Sequence, residues 1–277
     1  MKMLIFGSEG MAGHMIANFF ADKPDIELYT SSRRAGGDRH IQLDVRDRMK
    51  VEEVIGSLKP EVIVNCTGIL NQMAEEHPEV AFEVNGMFPH QLAKLADRYG
   101  GRLIHISTDC VFSGDRGRYQ EGDQPDGTTV YARSKMLGEL IGSDHLTIRT
   151  SIIGPELKKD GIGLFHWFMQ QTGTMNGFTK AMWNGVTTLE LAKAIEAAIA
   201  DGISGLYHLT APEIVSKHEL LMKIKSIFGK EDVEILPTDV PVIDRTLVNT
   251  RTDFVYEVPG YDVMLQEMKD WIDHHGK

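Results

Sequence analysis

Only two cysteines, Cys66 and Cys110, occur in the 277 residues, and both sit in apolar, strand-like runs. That number cannot build a disulfide framework, so both read as buried, reduced thiols. No CxxC or HExxH pattern occurs, and His14, His105 and His166 do not have ligand spacing. No protein-bound metal is expected. No apolar run approaches the roughly 18 residues that a membrane span needs. Basic residues are outnumbered, 29 Lys and Arg against 40 Asp and Glu, for a net charge of -11. The basic footprint of a nucleic-acid binder is therefore missing, although a local pocket can still hold an anion. Internal repeats, low-complexity segments and flexible linkers are also absent. The first residues read as a short strand rather than a secretory leader, so a cytoplasmic protein is expected.

What is present alternates. Short apolar runs at Met3–Phe6, Ile26–Tyr29, Val62–Asn65, Arg102–Ile106 and His145–Arg149 predict strands. Between them, amphipathic runs at 11–20, 51–58, 79–99 and 131–141 predict helices, with Gly100 and Gly101 ending the third. Alternation of this kind predicts an α/β fold: a Rossmann-type, doubly wound parallel sheet. Residues 1–150 are expected to form a dinucleotide-binding core. The rest, 151–277, is expected to complete that core and form a small substrate lobe. Helices are predicted there at 163–171, 189–200, 217–228 and 264–274, with a strand at 206–209.

In such sheets, ligands bind at the carboxyl ends of the strands. Gly7-Ser-Glu-Gly10-Met-Ala-Gly13 follows the first strand and opens the first helix. Its spacing is GxxGxxG rather than GxGxxG. Glycines there permit a tight turn, close approach of a pyrophosphate, and close packing of helix on strand. After the second strand an NAD site usually carries an acidic residue. This chain carries Ser31, Ser32, Arg33 and Arg34. Guanidiniums there suit a 2′-phosphate, which favours NADPH over NADH. Asp44 and Val45 lie within reach of an adenine.

Tyr131-Ala-Arg-Ser-Lys135 is a YxxxK pair at the start of a predicted helix, with both side chains on one face. An ammonium near a phenol favours the phenolate, which would bring Tyr131 down toward a useful range. Ser107-Thr108-Asp109 follows a strand directly. A hydroxyl at that strand end can hydrogen-bond a carbonyl oxygen and the charge developing on it. Together these groups suit the reduction of a ketone.

These residues also carry a resemblance. The stretch Ser107-Thr-Asp-Cys-Val-Phe-Ser-Gly114, continuing through Gly117, Tyr119, Glu121 and Pro125 to Tyr131-Ala-Arg-Ser-Lys-Met-Leu-Gly-Glu139, resembles the signature block of the extended short-chain dehydrogenase/reductases. Within them it is most similar to the dTDP-4-dehydrorhamnose reductase group. Val62–Asn65, Val84-Asn85 and Arg149-Thr150 also match positions of that group. The resemblance implies reduction of a 4-keto-6-deoxy sugar carried on a nucleoside diphosphate, with NADPH as cofactor. It makes Thr108, with Ser107 as the alternative, the group that orients the carbonyl. Tyr131 becomes the proton donor, and Lys135 the residue that holds the ribose and tunes Tyr131. Gly7, Gly10, Met11, Gly13, Ser32, Arg33, Arg34, Asp44, Val45, Cys66, Thr67, Gly68, Tyr131 and Lys135 form the implied cofactor set. Ser107, Asp109, Val111 and Phe112 form the expected substrate set, joined by Trp183 from the segment that departs from the group, where it can equally be a core anchor. A homodimer is compatible with this reading; a nucleic-acid or membrane partner is not expected.

The block also departs from that group. Cys110 stands where Tyr is usual and Ala132 where Gly is usual. Ser151-Ile-Ile-Gly154 lacks an aromatic wall, and Phe178–Thr188 replaces a Pro-Thr segment. These changes leave the sugar and nucleoside open. Two rival readings stay in play. One is an epimerase or dehydratase with retained NAD, disfavoured by Cys110 after Asp109 and by Arg33 and Arg34. The other is a non-catalytic regulatory subunit on the same fold, as a relative of methionine adenosyltransferase is built.

Overall fold

A computed structural model describes residues 1–275. Its centre is a seven-stranded, all-parallel sheet. The strands are β1 (Lys2–Phe6), β2 (Glu27–Ser32), β3 (His40–Gln42), β4 (Val62–Asn65), β5 (Arg102–Thr108), β6 (Leu146–Thr150) and a last strand, Gly205–His208. Their spatial order is Gly205–His208, β6, β5, β4, β1, β2, β3. The chain winds one way from β1 to β3 and the other way from β4 onward. The direction therefore reverses between β1 and β4, where a ligand crevice forms in such sheets.

Burial on both faces explains the apolar strands. Met3 and Ile5 enter one core with Val62, Val64, Ile104 and Ile106. Leu4 and Phe6, pointing the opposite way, enter a second core with Ile63 and Leu103. The helix α1 (Met11–Ala21) packs with the helix Thr188–Asp201 on the first face. The helix α2 (Arg48–Leu58) packs with the helix Phe88–Tyr99 on the second. Among the described residues, no helix is long and apolar enough to cross a membrane.

Three differences from the sequence reading have physical causes. The strand expected to end at Ile106 runs on to Thr108, because Ser107 and Thr108 still pair with Arg149 and Thr150. The helix expected over 79–99 is divided into an α turn at Pro78–Ala81, a π-helical segment at Phe82–Met87, and the α-helix Phe88–Tyr99. Pro89 lacks the N–H that would reach the Asn85 carbonyl, so the regular ladder cannot pass through it. Gly138 packs so closely on that freed carbonyl that any Cβ there would overlap it. The helix expected over 131–141 accordingly ends at Leu137.

Past residue 150, the structure adds strands that were not expected. Gly173–Phe178 pairs in parallel with Val233–Thr238. Ala181–Trp183 lies between Val215–Ser216 and Ile243–Asp244. The first of these, Gly-Thr-Met-Asn-Gly-Phe, has neither alternation nor β-branched density, so its pairing is set by the partner strand.

Candidate active site

The glycine turn is built as its spacing requires. Gly7 has φ 77°, and a Cβ there would lie 2.9 Å from the Cys66 carbonyl carbon. A Cβ at Gly13 would overlap the Gly7 carbonyl oxygen. The amides of Gly7 and Ser8 both donate to Ser31 O, at 3.0 and 3.1 Å, tying the turn to β2. Gly10 caps α1 without any side-chain bond to its first amides. Those amides are thus left without a side-chain partner, as an anion site needs.

The crevice is a cavity of about 320 Å³. Gly7, Gly10, Ser32, Arg33, Arg34, Asp44, Val45, Cys66, Thr67 and Gly68 line it. Met11, Gly13, Tyr131 and Lys135 do not. Glu9, Arg46 and Lys158, none singled out in the sequence, also line it. Arg46 pairs with Asp44 at 2.6 Å and holds that carboxyl below its usual range. Asp44 is therefore occupied by a guanidinium. The exposed Arg34 lies 3.8 Å from Glu9. His40 braces the arginine loop through Thr30 Oγ1 at 2.9 Å, Ser32 Oγ at 3.1 Å and Arg34 O at 3.1 Å.

The chemical groups sit beside this crevice, at the end of β5. Thr129 caps the helix Val130–Leu137 by accepting from the Ala132 amide at 3.0 Å, which puts Tyr131 in the first turn. Thr108 Oγ1 donates to Asp109 Oδ1 at 3.0 Å and accepts from the Cys110 amide at 3.1 Å. Tyr131 is half-buried. Burial raises its pKa most, with Cys110 and Asp109 adding to the rise and the neighbouring Thr108 hydroxyl opposing it. The expected lowering by Lys135 is not found. The Lys135 ammonium instead turns inward, 4% exposed, and donates to Ile106 O at 2.6 Å. Tyr131 therefore keeps its proton at neutral pH, as a donor must.

The implied substrate set divides. Asp109 is half-buried beside two cations that the sequence reading missed, Lys217 and Arg245. Burial pushes the Asp109 carboxyl up, against both charges and the Thr108 bond. Lys217 Nζ lies 4.9 Å from the centre of the Trp183 ring, and burial brings its pKa down to about 8. Arg245 Nε donates to Phe112 O at 2.9 Å. The other four expected residues face inward. Ser107 is spent on Glu139 at 2.7 Å. Val111 and Phe112 are sealed in a small core, Phe112 stacked on Tyr119 with ring centres 4.1 Å apart. Trp183, 3% exposed, donates to Ser151 Oγ at 2.8 Å and stacks on Tyr261. Lys217 had one legible signal: it follows Ser216, whose capping box with Glu219 starts the helix Lys217–Phe228. Arg245 lies in an irregular stretch and had none. Among the described residues, no group of three or more His, Cys, Asp or Glu side chains is gathered as a metal site needs.

Residues 1–250 match the family model described as the RmlD substrate binding domain. The chain belongs to this family. Proteins of differing names resemble it. A dTDP-4-dehydrorhamnose reductase of Streptomyces griseus is 26% identical over 282 residues, covering 98% of this chain and 90% of that one. The methionine adenosyltransferase 2 subunit beta of Bos taurus is 25% identical over 257 residues, covering 87% and 77%. The fold superimposes on a Bacillus anthracis dTDP-4-dehydrorhamnose reductase solved with NADP, with a TM-score of 0.85 at 20% identity, covering 98% of this chain and 99% of that one.

Proposed function

We propose that this protein reduces a 4-keto-6-deoxy sugar carried on a nucleoside diphosphate, using NADPH. The observation that carries the reading is the meeting of Thr108 and Tyr131 at the end of β5, with Lys135 of the same helix close to Cys66 in the lining of the crevice. The glycine turn fits a pyrophosphate site: Gly7 and Gly13 let strand, turn and helix pack without a Cβ between them, and Gly7 and Gly10 line the crevice. Arg33 and Arg34, with no acidic residue at the end of β2, suit a 2′-phosphate. NADPH, when bound there, supplies the hydride. Tyr131 gives its proton to the ketone oxygen, and the Thr108 hydroxyl turns from Asp109 to stabilise the charge that builds on that oxygen. Residues after 150 supply the sugar-nucleotide side, where Lys217, held over the buried Trp183 ring, and Arg245 meet a diphosphate. The reductases among the relatives support this reading, by their names.

The test is NADPH consumption over 4-keto sugars on dTDP, UDP and GDP, with NADH in parallel. Turnover with at least one of these and NADPH supports the proposal. Stoichiometric NAD retained through purification would favour an epimerase or dehydratase instead. One second reading has an observation behind it: the relative named as a subunit of methionine adenosyltransferase points to a regulatory role. No turnover across the whole panel, with NADPH still bound, would favour that reading.

A further inference from the structure

We propose that His105 is a positioning residue that holds a proton toward Lys135 and so biases Lys135 to its neutral, amine form. The proposal deepens the reductase reading and rests on it only for what Lys135 does in turnover.

The chain of bonds begins at a backbone amide, a group that can only donate. The Thr67 amide donates to Asn65 Oδ1 at 3.1 Å, and the Thr67 hydroxyl donates to the same oxygen at 2.6 Å. The Asn65 side chain is thereby oriented, oxygen toward Thr67 and nitrogen toward His105. Asn65 Nδ2, also only a donor, lies 3.1 Å from His105 Nδ1. Nδ1 must therefore accept. The single proton of a neutral imidazole then sits on Nε2. His105 is neutral, because full burial, then the charges of Lys135 and His90, hold its pKa well below the ordinary value.

Nε2 faces Lys135 Nζ at 3.4 Å. An N–H and an ammonium are both donors and oppose each other there. An amine resolves the conflict: it accepts from His105 and still donates to Ile106 O at 2.6 Å. The groups around Lys135 pull in both directions. Glu139, on its own side of the helix, and Cys66, beyond β4, favour the ammonium, while burial outweighs them and brings the pKa down to about 8. The His105 N–H acts in the same direction as burial. Asn65 and His105 are register neighbours on adjacent central strands, and neither has any exposure. Apolar side chains would serve packing there without a desolvation cost.

Two measurements on the full-length protein test this without using turnover. The first is a long-range proton–nitrogen spectrum of 15N-histidine-labelled wild-type protein at pH 7, with His105 assigned by its loss in His105→Leu. A protonated Nε2 and bare Nδ1 are expected; a protonated Nδ1 overturns the proposal. The second is titration of the Lys135 13Cε signal, assigned by its loss in Lys135→Met. His105→Leu removes a donor under this proposal, so the Lys135 titration should move up by about half a unit or more. If His105 were an acceptor for an ammonium, the same change would move it down. A downward or absent shift therefore overturns the proposal, and if the leucine variant does not fold, the wild-type spectrum decides, with His105 assigned instead by its loss in His105→Gln. Failure of the keto-sugar assays would sink the reductase reading and leave both results standing.

Discussion

Ser107 donates to Glu139 at 2.7 Å, and this one bond ties the end of β5 to the segment that closes the Tyr131 helix. The same carboxylate takes two bonds from Arg149, at 2.7 and 2.6 Å, with both side chains at 0% exposure. Glu139→Gln keeps the shape and removes the charge, leaving a guanidinium buried without its ion. A stability loss of about 3–5 kcal/mol is expected by urea denaturation. A loss under about 1 kcal/mol would show that the pair is not holding the site together.

Tyr131→Phe removes the proposed proton donor and little else. Turnover should fall by about 10²- to 10⁴-fold. NADPH affinity, measured by fluorescence titration, should be unchanged, because Tyr131 does not line the cofactor cavity. Undiminished turnover would remove Tyr131 from the mechanism.

The parallel sheet was legible because its strands are continuous apolar runs separated by capped helices. The glycine turn and the YxxxK pair were legible because their spacing serves a known geometry. What lay hidden depends on distant partners. The inward turn of Lys135 is set by Ile106 and His105, which no spacing along its helix encodes. The sealing of Phe112 needs Tyr119 to stack on it and Arg149 to sit 5.1 Å from its ring centre. Arg245 joins the site from an irregular stretch with no period. The π-helical segment was encoded by Pro89, but its place depends on Gly138, which packs on it from just past the end of the Tyr131 helix.

Gly13→Ala and Gly10→Ala separate packing from anion binding. A Cβ at Gly13 would overlap the Gly7 carbonyl oxygen, whereas one at Gly10 would sit 3.3 Å from it. Gly13→Ala should cost about 1–3 kcal/mol through overpacking, and Gly10→Ala markedly less. Thermal denaturation of the two variants side by side checks the order. Equal costs would mean that the turn adapts and that Gly13 is not needed for close packing.

Arg33 and Arg34 should matter for one cofactor only. Charge-assisted bonds to a phosphate are worth about 1.5–3 kcal/mol each, so the Arg33→Ala/Arg34→Ala double variant should raise KM for NADPH by roughly tenfold or more. KM for NADH, which lacks the 2′-phosphate, should hardly move. Equal losses with both cofactors would mean that these arginines do not read the 2′ position.

Lys217 gives the proposed sugar-nucleotide side a pH dependence of known sign. Burial lowers its pKa to about 8, against the pull of Asp109 and Cys110. The ammonium that would meet a diphosphate is present below that value and lost above it. KM for the nucleotide sugar should therefore be flat below pH 8 and rise toward about tenfold per unit above it. Lys217→Met should raise KM at neutral pH and abolish the alkaline limb, with kcat little changed. The split between KM and kcat matters, because Lys135 also titrates near 8 and acts beside Tyr131. An alkaline limb that survives in KM after Lys217→Met would assign it elsewhere and take Lys217 out of diphosphate recognition.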